Sequence, residues 1–180
     1  METKQLKTIS KFLSLVLRHS PETIGLQLDA EGWANVQELI GKTARGHHPL
    51  TLSLLEQIVA DNDKQRFAFS DDRQLIRASQ GHSVMIDLKL DPQPPPEYLY
   101  HGTVGQNLEA IRAGGLNKMS RRHVHLSRDR ELAQQVGGRR GKPVVLRIRA
   151  GLMDQDGISF YLSDNGVWLT DHVPVQYIEF

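Results

Sequence analysis

A chain of 180 residues with 39% hydrophobic and 24% charged side chains can build one ordinary globular domain or two small ones. Its formal net charge of +1 excludes a globally basic nucleic-acid binder, so any affinity for RNA must come from locally gathered cations. The absence of cysteine excludes disulfides, thiol catalysis and zinc–thiolate sites. Nothing reads as a signal peptide or a membrane span. The apolar run Phe12–Leu17 is short and flanked by Lys11 and Arg18, and the expectation is a cytoplasmic protein.

Leu6, Ile9, Phe12, Leu13, Val16 and Leu17 fall at helical spacing and predict an amphipathic helix over 4–19. Ser20-Pro21 ends it, because proline disfavours helix in the residue before it. Taken alone, Arg18 reads as a cation set against the C-terminal helix dipole. Leu26 and Leu28 suggest a short strand, Asp29–Gly32 a turn, and Trp33 the opening of a short helix carrying Val36, Leu39 and Ile40. His47-His48 invites a metal reading. Sequence neighbours rarely face one ion, however, and no carboxylate stands at ligand spacing, so a solvated loop is preferred. Leu52, Leu55, Ile58 and Val59 predict a third helix, capped by Thr51 or Ser53. Phe67 and Phe69 with Leu75 and Ile76 predict a hairpin around Ser70-Asp71-Asp72. Three helices followed by a hairpin is the layout of a winged-helix module. Lys64 and Arg66 are either charges decorating the strand entry or a phosphate clamp, for which the guanidinium fork of donors is suited.

Asp91-Pro92-Gln93-Pro94-Pro95-Pro96 places a domain border, since consecutive prolines favour a stiff extended segment. The division expected is a lobe over 1–91, a linker over 92–97 and a lobe over 98–180. In the second lobe short apolar strands (98–100, 124–126, 144–148, 167–169 and 175–180) alternate with helices near 106–113 and 129–136, which suggests a mixed, mostly antiparallel core split between two sheets. No Gly-x-Gly-x-x-Gly turn or Walker sequence supports a Rossmann or P-loop site. Gly137-Gly138-Arg139-Arg140-Gly141 reads only as an exposed basic loop.

Tyr98-Leu99-Tyr100-His101-Gly102-Thr103 reads as an apolar-aromatic strand ending on a polar turn, with Gly102 leaving room for a ligand to approach the backbone. Met119-Ser120-Arg121-Arg122-His123-Val124-His125-Leu126-Ser127 is a basic loop running into an alternating strand. On its own, His125 is equally an ordinary side chain of such a strand. Together these stretches resemble the tRNA (RNA) 2′-phosphotransferase family, whose C-terminal lobe is related to ADP-ribosyltransferases. Leu17-Arg18-His19-Ser20-Pro21-Glu22, Asp63-Lys64-Gln65-Arg66-Phe67, Gln80-Gly81-His82-Ser83 and Asn165-Gly166-Val167-Trp168-Leu169 carry the same resemblance in the family's order, so it spans nearly the whole chain.

The resemblance implies an α+β protein with an N-terminal winged-helix-like lobe that binds RNA and a C-terminal ADP-ribosyltransferase-like mixed β lobe that binds NAD. It implies removal of a 2′-phosphate from RNA of the tRNA splice-junction type. The RNA phosphate attacks the nicotinamide ribose and nicotinamide leaves; the ribose 2″-hydroxyl then attacks phosphorus, giving 2′-OH RNA and ADP-ribose 1″,2″-cyclic phosphate. The intermediate is a 2′-phospho-ADP-ribosyl RNA. Arg18, Arg66 and Arg121 match the family's catalytic arginines and His19 its histidine, which would bind the phosphate or shuttle the 2″-hydroxyl proton. Arg121 is preferred to Arg122 because it follows Met119-Ser120 and stands two before His123. His101, Gly102, Thr103, Asn107, His125 and Ser127 would line the NAD cleft, with a helix N-terminus after Thr103 for the pyrophosphate. Lys64, His82 and Ser83 would join Arg18, His19, Arg66 and Arg121 in holding RNA. NAD is a co-substrate, no metal is called for, the partner is RNA bearing a 2′-phosphate, no membrane is involved, and a monomer is expected. No Glu stands in the late-strand motif, which suits a phosphate acceptor that needs no base. Two rivals are an ADP-ribosyltransferase that caps nucleic-acid ends or proteins, and a non-catalytic winged-helix nucleic-acid-binding protein.

Overall fold

The apolar spacing at the N-terminus produces a helix in two parts, in a computed structural model that describes residues 3–61 and 64–180. Helix α1 (Thr3–Ser14) widens into a π-helical turn, Leu15–His19, closed where the Ser20 N–H donates to the Leu15 carbonyl at 2.8 Å. Single π-turns concentrate at functional positions, and this one ends on Arg18-His19. The chain divides into two compact units, with the boundary between Lys89 and Leu90.

In the first unit the strand expected at Leu26–Leu28 does not form. The turn expected after it, at Asp29–Gly32, is present: the Asp29 carboxylate accepts from the Glu31 and Trp33 backbone N–H groups at 2.9 Å each. Trp33 therefore precedes a two-residue strand, β1 (Ala34–Asn35), rather than opening a helix. The Asn35 side chain then caps α2 (Val36–Thr43) by accepting from the Glu38 N–H at 2.9 Å. Helix α3 (Leu52–Asp61) is capped by Thr51, whose hydroxyl accepts from the Leu54 N–H at 3.2 Å. The predicted hairpin is present as β2 (Phe67–Phe69) and β3 (Leu75–Ala78), and the sheet runs β1-β3-β2, antiparallel throughout. Leu13, Val16, Leu17, Leu39, Leu55, Phe67 and Ile76 form the core beneath it.

The second unit holds the proline stretch at its edge: Pro92 bridges to Tyr161, and the Gln93 N–H donates to the Phe160 carbonyl at 2.8 Å. Strand β4 (Leu99–Val104) contains His101-Gly102-Thr103 within it, so the triplet is extended strand rather than the turn the sequence suggested. A three-residue 3-10 turn leads to α4 (Leu108–Gly114), followed by β5 (Leu116–Asn117), β6 (Val124–Leu126) and α5 (Arg130–Gly138). The chain closes with β7 (Pro143–Ile148), α6 (Ala150–Gln155), β8 (Tyr161–Leu162), β9 (Trp168–Thr170), β10 (His172–Val173) and β11 (Ile178–Glu179). The sheets run β11-β7-β4, β6-β9-β8 and β10-β5, every pairing antiparallel. The long final strand expected over 175–180 is cut short because Val175–Tyr177 coils into a 3-10 turn after Pro174. Helix α6 escapes the sequence because six residues are too few to display a 3.6-residue period. The fold is thus a mixed α+β arrangement of small antiparallel sheets. No described helix is long and apolar enough to cross a membrane.

Helix α5 lies directly on β4. A Cβ built on Gly102 would stand 1.6 Å from the Ala133 carbonyl oxygen and 2.8 Å from the Gly137 nitrogen, and one built on Gly137 would stand 2.8 Å from the Thr103 oxygen. The space that the sequence reading reserved for a ligand at Gly102 is filled by helix backbone.

Candidate functional site

In the first unit the π-turn delivers Arg18 and His19 onto the segment that follows β3. The Arg18 carbonyl accepts from the Ser83 and Val84 N–H groups at 2.9 and 3.3 Å. His19 Nδ1 and the Ser83 hydroxyl are 2.8 Å apart. Gly81, at φ +88°, lets the chain pass closely beneath the arginine: a Cβ there would meet the Arg18 guanidinium carbon at 3.6 Å. Arg18 is half-buried, while His19 and Ser83 face solvent. The motifs around Arg18-His19 and Gly81-His82-Ser83, separate in sequence, therefore build one surface. Arg66 joins its edge through the backbone, accepting from the Ser79 N–H at 2.8 Å, and is half-buried beside exposed Lys64. Asp63, which belongs to the same motif, lies outside the described residues.

His82 differs from its neighbours. Its ring is 1% exposed, with Nε2 only 3.2 Å from where a Gly32 Cβ would be, so it faces inward and not toward a ligand. Burial first, then the Arg18 and Arg77 cations and His19, push the imidazole down from 6.5 to about 4. The unfolded chain binds a proton between those values that the folded protein refuses. The stability contributed by neutral His82 is complete above 6.5 and is lost as pH falls toward 4. Urea unfolding should show about 2 kcal/mol less stability at pH 5 than at pH 7 from this group. His82→Asn should flatten that part of the curve; an unchanged slope would refute the assignment.

In the second unit β4 and β6 converge where Tyr100 and Ser127 exchange backbone hydrogen bonds, 2.8 Å each way. This sets His101 beside β6, with Nδ1 at 3.1 Å from the His125 carbonyl. A carbonyl only accepts, so Nδ1 carries the proton and the neutral ring offers Nε2 as an acceptor. Burial, opposed by that hydrogen bond, pushes His101 below its ordinary value and favours the neutral ring. The Arg121 guanidinium lies 3.0 Å from His125 Nδ1, which accepts the bond in turn. Desolvation, then Arg140 and Arg139, lower the Arg121 pKa. Asn107 donates to the buried Thr103 hydroxyl at 3.1 Å. That bond ties down the 3-10 turn after β4, and α4 begins only at Leu108, five residues beyond Thr103.

Residues 4–172 match the family described as RNA 2′-phosphotransferase, Tpt1 / KptA family. The chain belongs to the Tpt1 / KptA RNA 2′-phosphotransferases. Proteins named probable RNA 2′-phosphotransferase from three bacteria resemble it along nearly their whole length. That of Flavobacterium johnsoniae is 59% identical over 97% of this chain and 96% of its own. That of Burkholderia pseudomallei is 56% identical over 95% and 93%. The Streptomyces coelicolor protein is 52% identical over 100% and 98%.

Two features of this phosphotransferase-family chain carry more than their sequence suggests. Arg77 on β3 is 9% exposed, its guanidinium 4.4 Å above the Trp33 ring and 3.4 Å from the Glu31 carbonyl, and it contributes to the field at His82. An arginine flanked by Ile76 and Ala78 reads in sequence as ordinary strand decoration. Arg139 and Arg140 follow α5 and act on Arg121, although their loop gave no signal beyond exposure. Of the paired histidines, His48 packs against Phe12, with ring centroids 5.1 Å apart and the planes tilted by 43°. Among the described residues no three His, Asp or Glu side chains gather to hold a metal.

Proposed function

We propose that this chain is an NAD-dependent RNA 2′-phosphotransferase that removes an internal 2′-phosphate of the splice-junction type, releasing nicotinamide and ADP-ribose 1″,2″-cyclic phosphate. In this reading the first unit is a winged-helix-like RNA-binding lobe and the second an ADP-ribosyltransferase-like NAD lobe. The observation that carries it is the seating of half-buried Arg18 beside exposed His19 and Ser83 on the Gly81–Ser83 segment, which gathers a guanidinium, an imidazole and a hydroxyl as partners for a phosphate dianion. The attacking phosphate is already an anion and needs no base. Transfer at phosphorus concentrates negative charge, which calls for fixed cations; Arg18 and Arg66 are those the first unit offers, and Arg121 is that of the second.

NAD supplies an anomeric carbon bearing a good leaving group. The second unit's contribution to holding it falls on His101, whose Nε2 can accept from a ribose hydroxyl, and on His125 and Ser127 beside it. Gly102, Thr103 and Asn107 act one step back: the glycine lets α5 close on β4, and Asn107 holds the Thr103 hydroxyl.

The test is to mix the protein with NAD and a short RNA bearing one 2′-phosphate and to follow both products. Nicotinamide together with the cyclic phosphate supports the reading. ADP-ribose left on the RNA would instead identify a capping ADP-ribosyltransferase, and no nicotinamide at all a non-catalytic binder. RNA affinity should depend weakly on salt. For three or four phosphate contacts the slope of log K against log salt is roughly −2 to −3 on a single strand. A slope steeper than about −6 would reveal a basic surface absent from this account.

A further inference from the structure

We propose that Arg77 is a positioning residue for the Arg18–His19 pair, acting through the buried His82 ring and the Gly81–Ser83 segment. The inference rests on the phosphotransferase reading. Arg77 and His82 flank the same turn: the guanidinium reaches the Glu31 carbonyl and covers the Trp33 ring, while His82 Nε2 packs against Gly32 between them. Gly32 sits at φ +85°, and a Cβ there would press on both His82 and Ile86, at 3.2 and 3.1 Å. The turn at 29–33 thus fixes both side chains from one side.

On the other side, His82 is the central residue of the segment that carries the pair. Gly81 lies under the Arg18 guanidinium, and Ser83 binds the Arg18 carbonyl and the His19 ring. A displaced or charged His82 ring would move that segment and repel Arg18 and His19. The charged and titratable groups whose field reaches the ring are Arg18 and His19 from the π-turn and Arg77 from β3, all cationic or able to become so. A permanent cation at position 77 therefore favours the uncharged ring, and its stacking on Trp33 fixes where that cation stands. Arg77, 9% exposed, acts on the phosphate through these neighbours.

The test uses the full chain with Arg77→Met, which keeps length and removes charge, and Arg77→Lys, which keeps charge and loses the planar stack. For each, the His82 proton titration is followed by NMR, and kcat and KM are measured with NAD and 2′-phosphorylated RNA. Arg77→Met should raise the His82 midpoint toward its ordinary value and lower kcat roughly tenfold, with KM for NAD unchanged. Arg77→Lys should restore the midpoint and part of kcat. Unchanged kcat in folded Arg77→Met, or a loss unaccompanied by any movement of the His82 midpoint, overturns the proposal. If Arg77→Met does not fold, Trp33→Leu takes its place: lowered kcat supports the proposal and full kcat overturns it. Arg18→Ala is the separate control for the underlying reading. Full activity there removes the phosphate role of Arg18 itself, independently of how Arg77 behaves.

Discussion

Gly102→Ala should unfold the second unit. The new methyl would stand 1.6 Å from the Ala133 oxygen and 2.6 Å from its carbonyl carbon, and both belong to helix backbone, so no side-chain rotation relieves the overlap. Either α5 lifts from β4 or the strand leaves the register that pairs Gly102 with Val145. Leu99, Leu146 and Ile148 are fully buried in that sheet, and Ala133 is buried on the helix. Separating the layers returns this apolar surface to water, and because backbone cannot rotate away the expected loss exceeds the ~1–3 kcal/mol usual for core overpacking and reaches the exceptional range of about 4 kcal/mol or more. Thermal melting and amide exchange along β4 and β7 report it directly. Gly105→Ala, three residues on with nothing within 4 Å of its new methyl, is the control and should melt near the wild-type temperature. A normally stable Gly102→Ala would mean that α5 does not pack where it is described.

Arg66→Ala and Arg121→Ala should each slow the second chemical step by about 10²- to 10³-fold, the usual cost of removing a donor aimed at developing charge. In the proposed reaction RNA carrying 2′-phospho-ADP-ribose then accumulates, because nicotinamide release does not require the same charge stabilisation. Single-turnover assays separating nicotinamide from cyclic phosphate distinguish the steps. Variants that stall before nicotinamide leaves would refute the assigned role. Folding should be little affected: Arg121 is exposed, and Arg66 contributes its backbone carbonyl, not its side chain, to the Ser79 pairing.

Much of this protein was legible before its fold was known, for identifiable reasons. Period-3.6 apolar spacing located α1 and α3, and Ser70-Asp71-Asp72 between aromatic and aliphatic pairs located the β2–β3 hairpin. Where elements were short, local chemistry decided against the pattern. Two alternating leucines were too few to make Leu26–Leu28 a strand, although the Asp29–Gly32 turn formed beside them, and six-residue α6 left no period to see. His101-Gly102-Thr103 looked like a turn because glycine usually marks one, whereas here the glycine serves a helix crossing a strand.

The sequence by itself determined the chemistry on offer: arginines and histidines in spaced motifs, no thiol, almost no net charge, and a family membership carried by residues 4–172. It could not determine which of those side chains face outward, because exposure depends on what packs against them from distant parts of the chain. Gly81-His82-Ser83 is a single motif in sequence. Tertiary structure turns Ser83 toward His19 and buries His82 against Gly32, giving adjacent residues opposite electrostatic fates. Arg77 acquires its place only because the 29–33 turn folds back over β3, setting an aromatic face and a carbonyl against a guanidinium more than 40 residues away in sequence. Desolvation and like-charge fields are properties of such assembled neighbourhoods, and no spacing rule along the chain encodes them.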